Sequence, residues 1–371
     1  MKRVQEIVQS MFRMLNSAIA GIYGLMMIFI VICCIFFAHI RYWTLSYSEN
    51  FLPAIVLLIF GGITICGIVT ICKRADRECK IKPIIFWIVV PVMIFLMQIY
   101  FVWNYYVYTD WDVASVVGLA DKIAHNESTD IYINYFSRYP NNLFLLFIFV
   151  IISKIAYICS IDSHLLMSIV SALSVNLSII MMIKIIGKIS KNKHMCVLFV
   201  FISTLFLMFS PWIVIPYSDT YAMFFTTSVL YIFFNKENLD QYVYIFVLVL
   251  ISLIGYKIKP TVIISIIAIA IIEIWSYLFG NKKLKLDILF KSIIAIVLSV
   301  LLFGIINNFS KSFLGYERNI DVEMPMTHFM MMGMNEKMKG VFLYEDVEYT
   351  TSFKGIDNKK TANIKEIKKR L

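Results

Sequence analysis

The chain has 371 residues, 60% of them hydrophobic and 16% charged, with a mean hydropathy of +0.80 and a formal net charge of +10. That balance excludes an ordinary soluble domain and predicts an all-α, polytopic transmembrane helical bundle. The basic excess does not point to nucleic acid, because the lysines fall in short loops between apolar runs, where topology and anionic headgroups account for them.

A helix needs about 20 apolar residues to cross roughly 30 Å of hydrocarbon. Ser17 to Ile40, Leu52 to Cys72, Pro83 to Val102 and Cys196 to Pro216 reach that length without a charge. Shorter or singly charged runs lie at Leu143 to Ile158, Leu165 to Ile183, Thr220 to Phe234, Tyr242 to Tyr256, Pro260 to Tyr277 and Ile293 to Ile306, so ten segments are expected to contact the membrane. Lys2, Arg3 and Arg13 lead into a run too long for a signal-peptide core, which predicts a retained first span. The seven cysteines read as small apolar filler, with no pair spaced for zinc or redox work.

Basic loops mark the cytoplasmic side of the plasma membrane: the N-terminus, then Lys73, Arg74, Arg77, Lys80 and Lys82, then Lys184, Lys188, Lys191 and Lys193, then Lys282, Lys283 and Lys285. With the N-terminus inside, three spans carry Asp110 and Asp112 to the outer face. An odd number of crossings must separate Asp112 from Lys184, yet two apolar runs are visible. Leu143 to Ile158 is therefore expected to stop short of crossing and to lie as a juxtamembrane or re-entrant helix. The same parity collects Arg138, Asp219, Lys257, Lys259 and the His328 loop outside with the two acids. Three regions follow: N-terminal spans over residues 1–103, a core with outer loops over 104–308, and an outer loop with a basic tail over 309–371. In the tail, Ile364, Ile367 and Leu371 have the spacing of a short amphipathic helix.

Asp110 and Asp112 flank Trp111 and precede a helix start, where backbone N–H groups favour negative charge. Capping explains such acids; so does a carboxylate placed among Tyr105, Tyr106, Tyr108 and Trp111 to take a proton from a hydroxyl or amine. Those aromatics suit either a sugar face or an interfacial belt. Lys257 and Lys259, beside Pro260, either snorkel or bind a phosphate, and Arg138 is a further phosphate candidate because a guanidinium grips two oxygens at once. Asp219 suits an acceptor or a helix cap. His328, Gly333, Asn335 and Glu336 punctuate a methionine-rich run, which reads equally as packing. No Walker loop, HExxH, CxxC or nucleophile elbow occurs.

Taken in order, Asp110-Trp111-Asp112 with its following helix, Arg138-Tyr139-Pro140-Asn141-Asn142, and Ser210-Pro211-Trp212 with Tyr217-Ser218-Asp219 resemble the C-type glycosyltransferase superfamily, polytopic enzymes that include protein O-mannosyltransferases and aminoarabinose transferases. The resemblance covers roughly Asn104 to Thr261. The run from Thr327 to Asn335, followed by Glu345-Asp346, resembles a branch of large bacterial integral membrane proteins, mostly from Gram-positive organisms. Members of that branch usually continue into further spans, so a chain ending at Leu371 is expected to be a truncated or split product. The resemblance implies inverting transfer of a sugar from a polyprenyl-phosphate carrier to a cell-envelope glycan, lipid or protein. It casts Asp112 as general base, Asp110 as its positioning partner or a ligand to a divalent metal, and Lys257, Lys259 and Arg138 as phosphate ligands. Asp219, His328 and Asn335 fall on the acceptor side. The rivals are a flippase of lipid-linked saccharide, for which Glu273 inside a late span leaves room, and a non-catalytic envelope-assembly protein.

Overall fold

A computed structural model describes residues 2–36, 39–41, 44–46, 51–78, 88–190, 193–279, 286–317 and 319–371. Lys80, Lys82, Lys191, Lys282, Lys283 and Lys285, which helped set the expected topology, lie outside the described residues, as does the start of the third span at Pro83. The fold is all-helical apart from one three-residue antiparallel pair, in which Ile40 faces Leu45.

The helices in chain order are α1 (Lys2–Phe36), α2 (Phe51–Glu78), α3 (Val90–Tyr105), α4 (Asp112–His125), α5 (Asp130–Arg138), α6 (Leu143–Cys159), α7 (Ser163–Ser190), α8 (Lys193–Ser203), α9 (Ser218–Phe234), α10 (Gln241–Ile258), α11 (Ile263–Phe279), α12 (Leu286–Phe313), α13 (Met326–Gly333), α14 (Tyr344–Thr351) and α15 (Ile356–Arg370). Among the described residues, Pro140–Cys159, Ser163–Ser190, Gln241–Ile258, Pro260–Leu278 and Leu286–Phe313 are long and apolar enough to cross a membrane, with shorter apolar helices at Met14–Phe29, Leu58–Thr70, Val90–Tyr105 and Met195–Met208. Leu25, Phe60 and Leu301 are largely exposed, as a lipid-facing surface permits and water does not.

The chain forms two compact units: Met1–Gly67, Trp275–Lys282 and Asn319–Leu371 make one, and Ile68–Ile274 with Lys283–Arg318 make the other. In the second unit α3 and α7 run antiparallel. Buried Gln98 and Asn176 join them: the Asn176 amide donates to Gln98 Oε1 (3.2 Å) and lies 3.3 Å from the Pro91 carbonyl. Such interhelical bonds replace the hydrophobic drive that lipid cannot supply, at about 0.6–2 kcal/mol each.

By length and hydropathy α6, with the turn before it, is apolar enough to cross a membrane, and its contacts gather at one end of the bundle. At its start, Asn142 donates to the Tyr135 hydroxyl (2.7 Å), and the core around Leu143–Leu146 includes Ile258 and Val262, from the end of α10 and the turn after it. Phe147 meets Phe309 and Phe313 near the end of α12, and Phe149 meets Tyr221 in the first turn of α9. At its finish, Tyr157 meets His125 of α4 edge to face, and in the turn to α7 Asp162 accepts from Tyr108, just beyond α3. Only the first turns of α7, at Leu166, Met167 and Val170, join this core. A helix whose two ends touch the same end of five neighbours does not run alongside them. With α4 packed along its length, α6 makes a lid layer that buries Val113, Val116, Ala120, Leu145 and Phe149.

The opposite end of the bundle is ionic. Lys188, near the far end of α7, donates to the Phe234 carbonyl and pairs with Glu237, while Lys236 pairs with Glu273. Glu273 is thus part of an ion pair at the bundle end opposite Asp112.

In the first unit, α13, α14 and α15 pack around buried polar groups. Arg370 grips Asp346 through two nitrogens (2.6 and 3.1 Å) and donates to the Met331 carbonyl (2.8 Å). Lys359, 1% exposed, donates to the carbonyls of Asp321 (2.6 Å) and Glu323 (3.2 Å). The expected tail helix exists, but the buried side of α15 is Lys359, Ala362, Asn363 and Ile367, while Ile364 and Leu371 are exposed.

Candidate functional site

Four chain segments meet at the lid end of the second unit. Asp112 begins α4, and Trp111, the preceding cap residue, makes no side-chain capping bond there. The Asp112 carboxylate accepts a hydrogen bond from the Tyr217 hydroxyl (3.2 Å), 105 residues away. Tyr135 and Tyr139 stand on the same carboxylate. All three phenols are pushed up from their ordinary pKa, first by burial and then by the negative charge of Asp112. They stay protonated and can only present O–H toward it, so Asp112 is held as an exposed acceptor in an aromatic rim.

The loop bearing Tyr217 is shaped by a broken helix. After α8 the backbone widens into a π-helical turn, Thr204–Met208, and Pro211 then breaks the run because it has no N–H to donate. The Met208 carbonyl accepts from Gln98 Nε2 (3.0 Å), and the Val214 carbonyl accepts from Ser168 (3.0 Å). Ser171 donates to the Thr220 hydroxyl (2.7 Å), which donates to the Tyr217 carbonyl (3.0 Å). Irregular backbone at this depth is tolerated because neighbouring helices satisfy it. Against it lies a cleft of about 420 Å³ with Trp111, Phe206, Leu207, Trp212, Tyr217 and Asp219 in its walls; the two indoles meet edge to face at 6.0 Å.

The cations arrange differently from the expected clamp. Lys259 pairs with Asp219, so two residues assigned separate tasks neutralise one another. Glycine makes that possible, since a Cβ at Gly255 would fall 2.6 Å from Phe225 Cβ and hold α10 away from α9. Lys257 takes another partner. The Ser299 hydroxyl donates to the Phe246 carbonyl (2.9 Å), and α10 and α12 run parallel, both carrying their C-terminal ends to the α6 core. Three turns further along both helices come Lys257 and the Ser310–Lys311 pair, and the Lys311 charge acts on Lys257. Neither ammonium has an acidic partner among the described residues. Lys154 of α6 lies 4.7 Å over the Phe313 ring, beside the same helix end.

Asp110 and Arg138 are exposed, and Arg138 ends α5 directly before Tyr139. His328 and Asn335 belong to the first unit and are buried there, at 1% and 5% exposure. His328 Nδ1 lies 2.9 Å from the Thr350 hydroxyl; Asn335 donates to the Met332 and Val341 carbonyls (2.6 and 2.9 Å) and accepts from the Met338 N–H (2.8 Å). Those bonds are the structural role that a methionine-rich run also allowed. No group of three His, Cys, Asp or Glu side chains is placed to hold a metal among the described residues. Sequence reasoning missed Tyr135 and Lys311. The one sits on the short polar α5; the other reads as a snorkelling lysine until the register of α10 and α12 sets it beside Lys257.

The family described as "Conserved hypothetical integral membrane protein" matches residues 11–371. The chain belongs to that family. Membership agrees with the helical architecture and makes this an integral membrane protein. No curated protein and no solved structure matches it.

Proposed function

We propose that this protein is a glycosyltransferase that moves a sugar from a polyprenyl-phosphate carrier to a cell-envelope acceptor at the outer face of the plasma membrane, with the N-terminus inside. One observation carries the reading: the Asp112 carboxylate, accepting from Tyr217 and bordered by Tyr135 and Tyr139, stands at a bundle end in no ion pair among the described residues. A carboxylate so held can take the acceptor's proton as its oxygen attacks the anomeric carbon, while the carrier phosphate departs. Lys257 and Lys311 form the phosphate site, offsetting charge that grows as the phosphate leaves. Lys259 serves instead to fix Asp219. Arg138 stays a phosphate ligand of lesser weight, and Asp110 a neighbour that tunes Asp112. The carrier's lipid tail keeps its headgroup at the surface, where positioning and electrostatics suffice for catalysis. The resemblance to C-type glycosyltransferases supports the same assignment. Glu273, the late-span acid that left room for a flippase, is paired with Lys236, which suits a structural role.

Asp112→Asn is the test. Transfer of radiolabelled sugar from a polyprenyl-phosphate donor to envelope material should fall about 10²–10⁴-fold, with carrier binding retained. Undiminished transfer would remove the base and the reading with it.

A further inference from the structure

The cleft beside Asp112 is chemically unlike the cation pair at Lys257 and Lys311. Val175, Phe206, Leu207, Trp212 and Met223 make most of its wall apolar, and its polar groups are Ser210, Tyr217, Asp219 and Thr220, of which Tyr217 bonds Asp112. Among the described residues no cation lines it; Lys259, which reaches Asp219, is neutralised by that contact. A phosphate lodged here would face a carboxylate with no free positive charge to offset it, whereas a neutral hydroxyl would find a donor and acceptors. Phe206 and Trp212, 71% and 56% exposed, open the cleft onto apolar surface. A volume of about 420 Å³ has room for on the order of a dozen methylene-sized groups.

From this complementarity we infer that the cleft holds the hydrocarbon chain of a neutral, hydroxyl-bearing membrane lipid, and that this lipid is the sugar acceptor. The inference rests on the transferase reading and narrows its acceptor from glycan, lipid or protein to lipid. With the chain along α9 between Asp219 and Met223, the hydroxyl stands at Tyr217 beside Asp112. Its oxygen forms the new bond to the anomeric carbon, its proton passes to the Asp112 carboxylate, and the bond from that carbon to the carrier's phosphate oxygen breaks, the phosphate leaving with the electron pair near Lys257 and Lys311.

Binding can be read without turnover. In phosphatidylcholine nanodiscs, brominated dioleoylglycerol should quench tryptophan fluorescence saturably, beyond the same mole fraction of brominated phosphatidic acid, and the excess should vanish when Trp111→Phe and Trp212→Phe are combined. Filling the cleft by Val175→Phe, or by Leu207→Phe at a half-exposed position that burdens the fold less, should weaken the apparent affinity at least tenfold. Quenching no stronger than with phosphatidic acid, or unchanged by both fillings, overturns the proposal. Stronger quenching by phosphatidic acid also overturns it and gives the cleft to a phosphate-bearing lipid. Each of these failures leaves the Asp112→Asn transfer result standing, while a failure of that assay leaves neutral-lipid binding measurable.

Discussion

The α13–α15 region and the Asp112 end of the other unit both collect charged and polar side chains, and they use them in opposite ways. Around Arg370, each buried group is matched: Asp346 is 2% exposed and gripped from two nitrogens, Lys359 is spent on carbonyls, and Asn363 accepts from Thr350 (3.0 Å). At the Asp112 end the acids are exposed with bonding capacity to spare, and half-buried Lys257 feels the charge of exposed Lys311, neither with an acidic partner among the described residues. Burial demands satisfaction, since an unmatched buried charge costs several kcal/mol, so a matched buried network records what the fold required. A charge left uncompensated where water could solvate it records something else, a partner yet to arrive.

The sharpest way to break that contrast is to neutralise one acid from each region. Asp346→Ala leaves Arg370 only Glu366 and the Met331 carbonyl and should destabilise α13–α15 by about 3 kcal/mol, seen as accelerated proteolysis or hydrogen exchange over residues 326–370 in nanodiscs. Asp112→Asn should leave the corresponding measurement over its own α4–α6 region, residues 112–159, unchanged. Comparable destabilisation by both would make Asp112 architectural. Next in size, Lys257→Ala combined with Lys311→Ala should weaken binding of a short-chain prenyl phosphate by about tenfold or more, reckoned at a little over 1 kcal/mol for the pair, and flatten its salt dependence. Lys259→Ala should do less, because that lysine is already paired.

The smallest effect concerns pH. Burial holds the His328 imidazole below its ordinary 6.5, with Asp346 opposing and Lys359 assisting. The unfolded chain therefore takes up this proton at a higher pH than the folded one. Stability is full above about 6.5, declines as pH falls through that value, and levels off below the folded pKa. Hydrogen-exchange protection over α13 and α14, taken relative to the intrinsic rate at each pH, should fall as pH drops from about 7.5 to about 5, and His328→Gln should blunt the change. An unchanged pH dependence in that variant would assign it to another group.

How far the sequence alone reached can be judged at particular residues. Helical spans announce themselves because lipid forces each backbone group to bond within its own segment, so uninterrupted apolar length suffices to find them. For Leu143 to Ile158 the two signals disagree: length and hydropathy allow a span, whereas the parity of basic loops predicts a helix that stops short. Asp112 was legible as an acid at a helix start, but not its bond to Tyr217, which arrives from 105 residues away. The pairing of Lys259 with Asp219 and of Lys257 with Lys311 was illegible for a related reason. Two lysines two positions apart point to different sides of a helix end, and which neighbour each meets is decided by the approach of α9 at Gly255 and by the register of α12 at Ser299. Composition and order thus determined that this is a helical membrane protein with an acid-bearing loop, because those properties are local and additive along the chain. Tertiary structure alone decided which charges are neutralised and which stay available, because that depends on distances between segments remote in sequence.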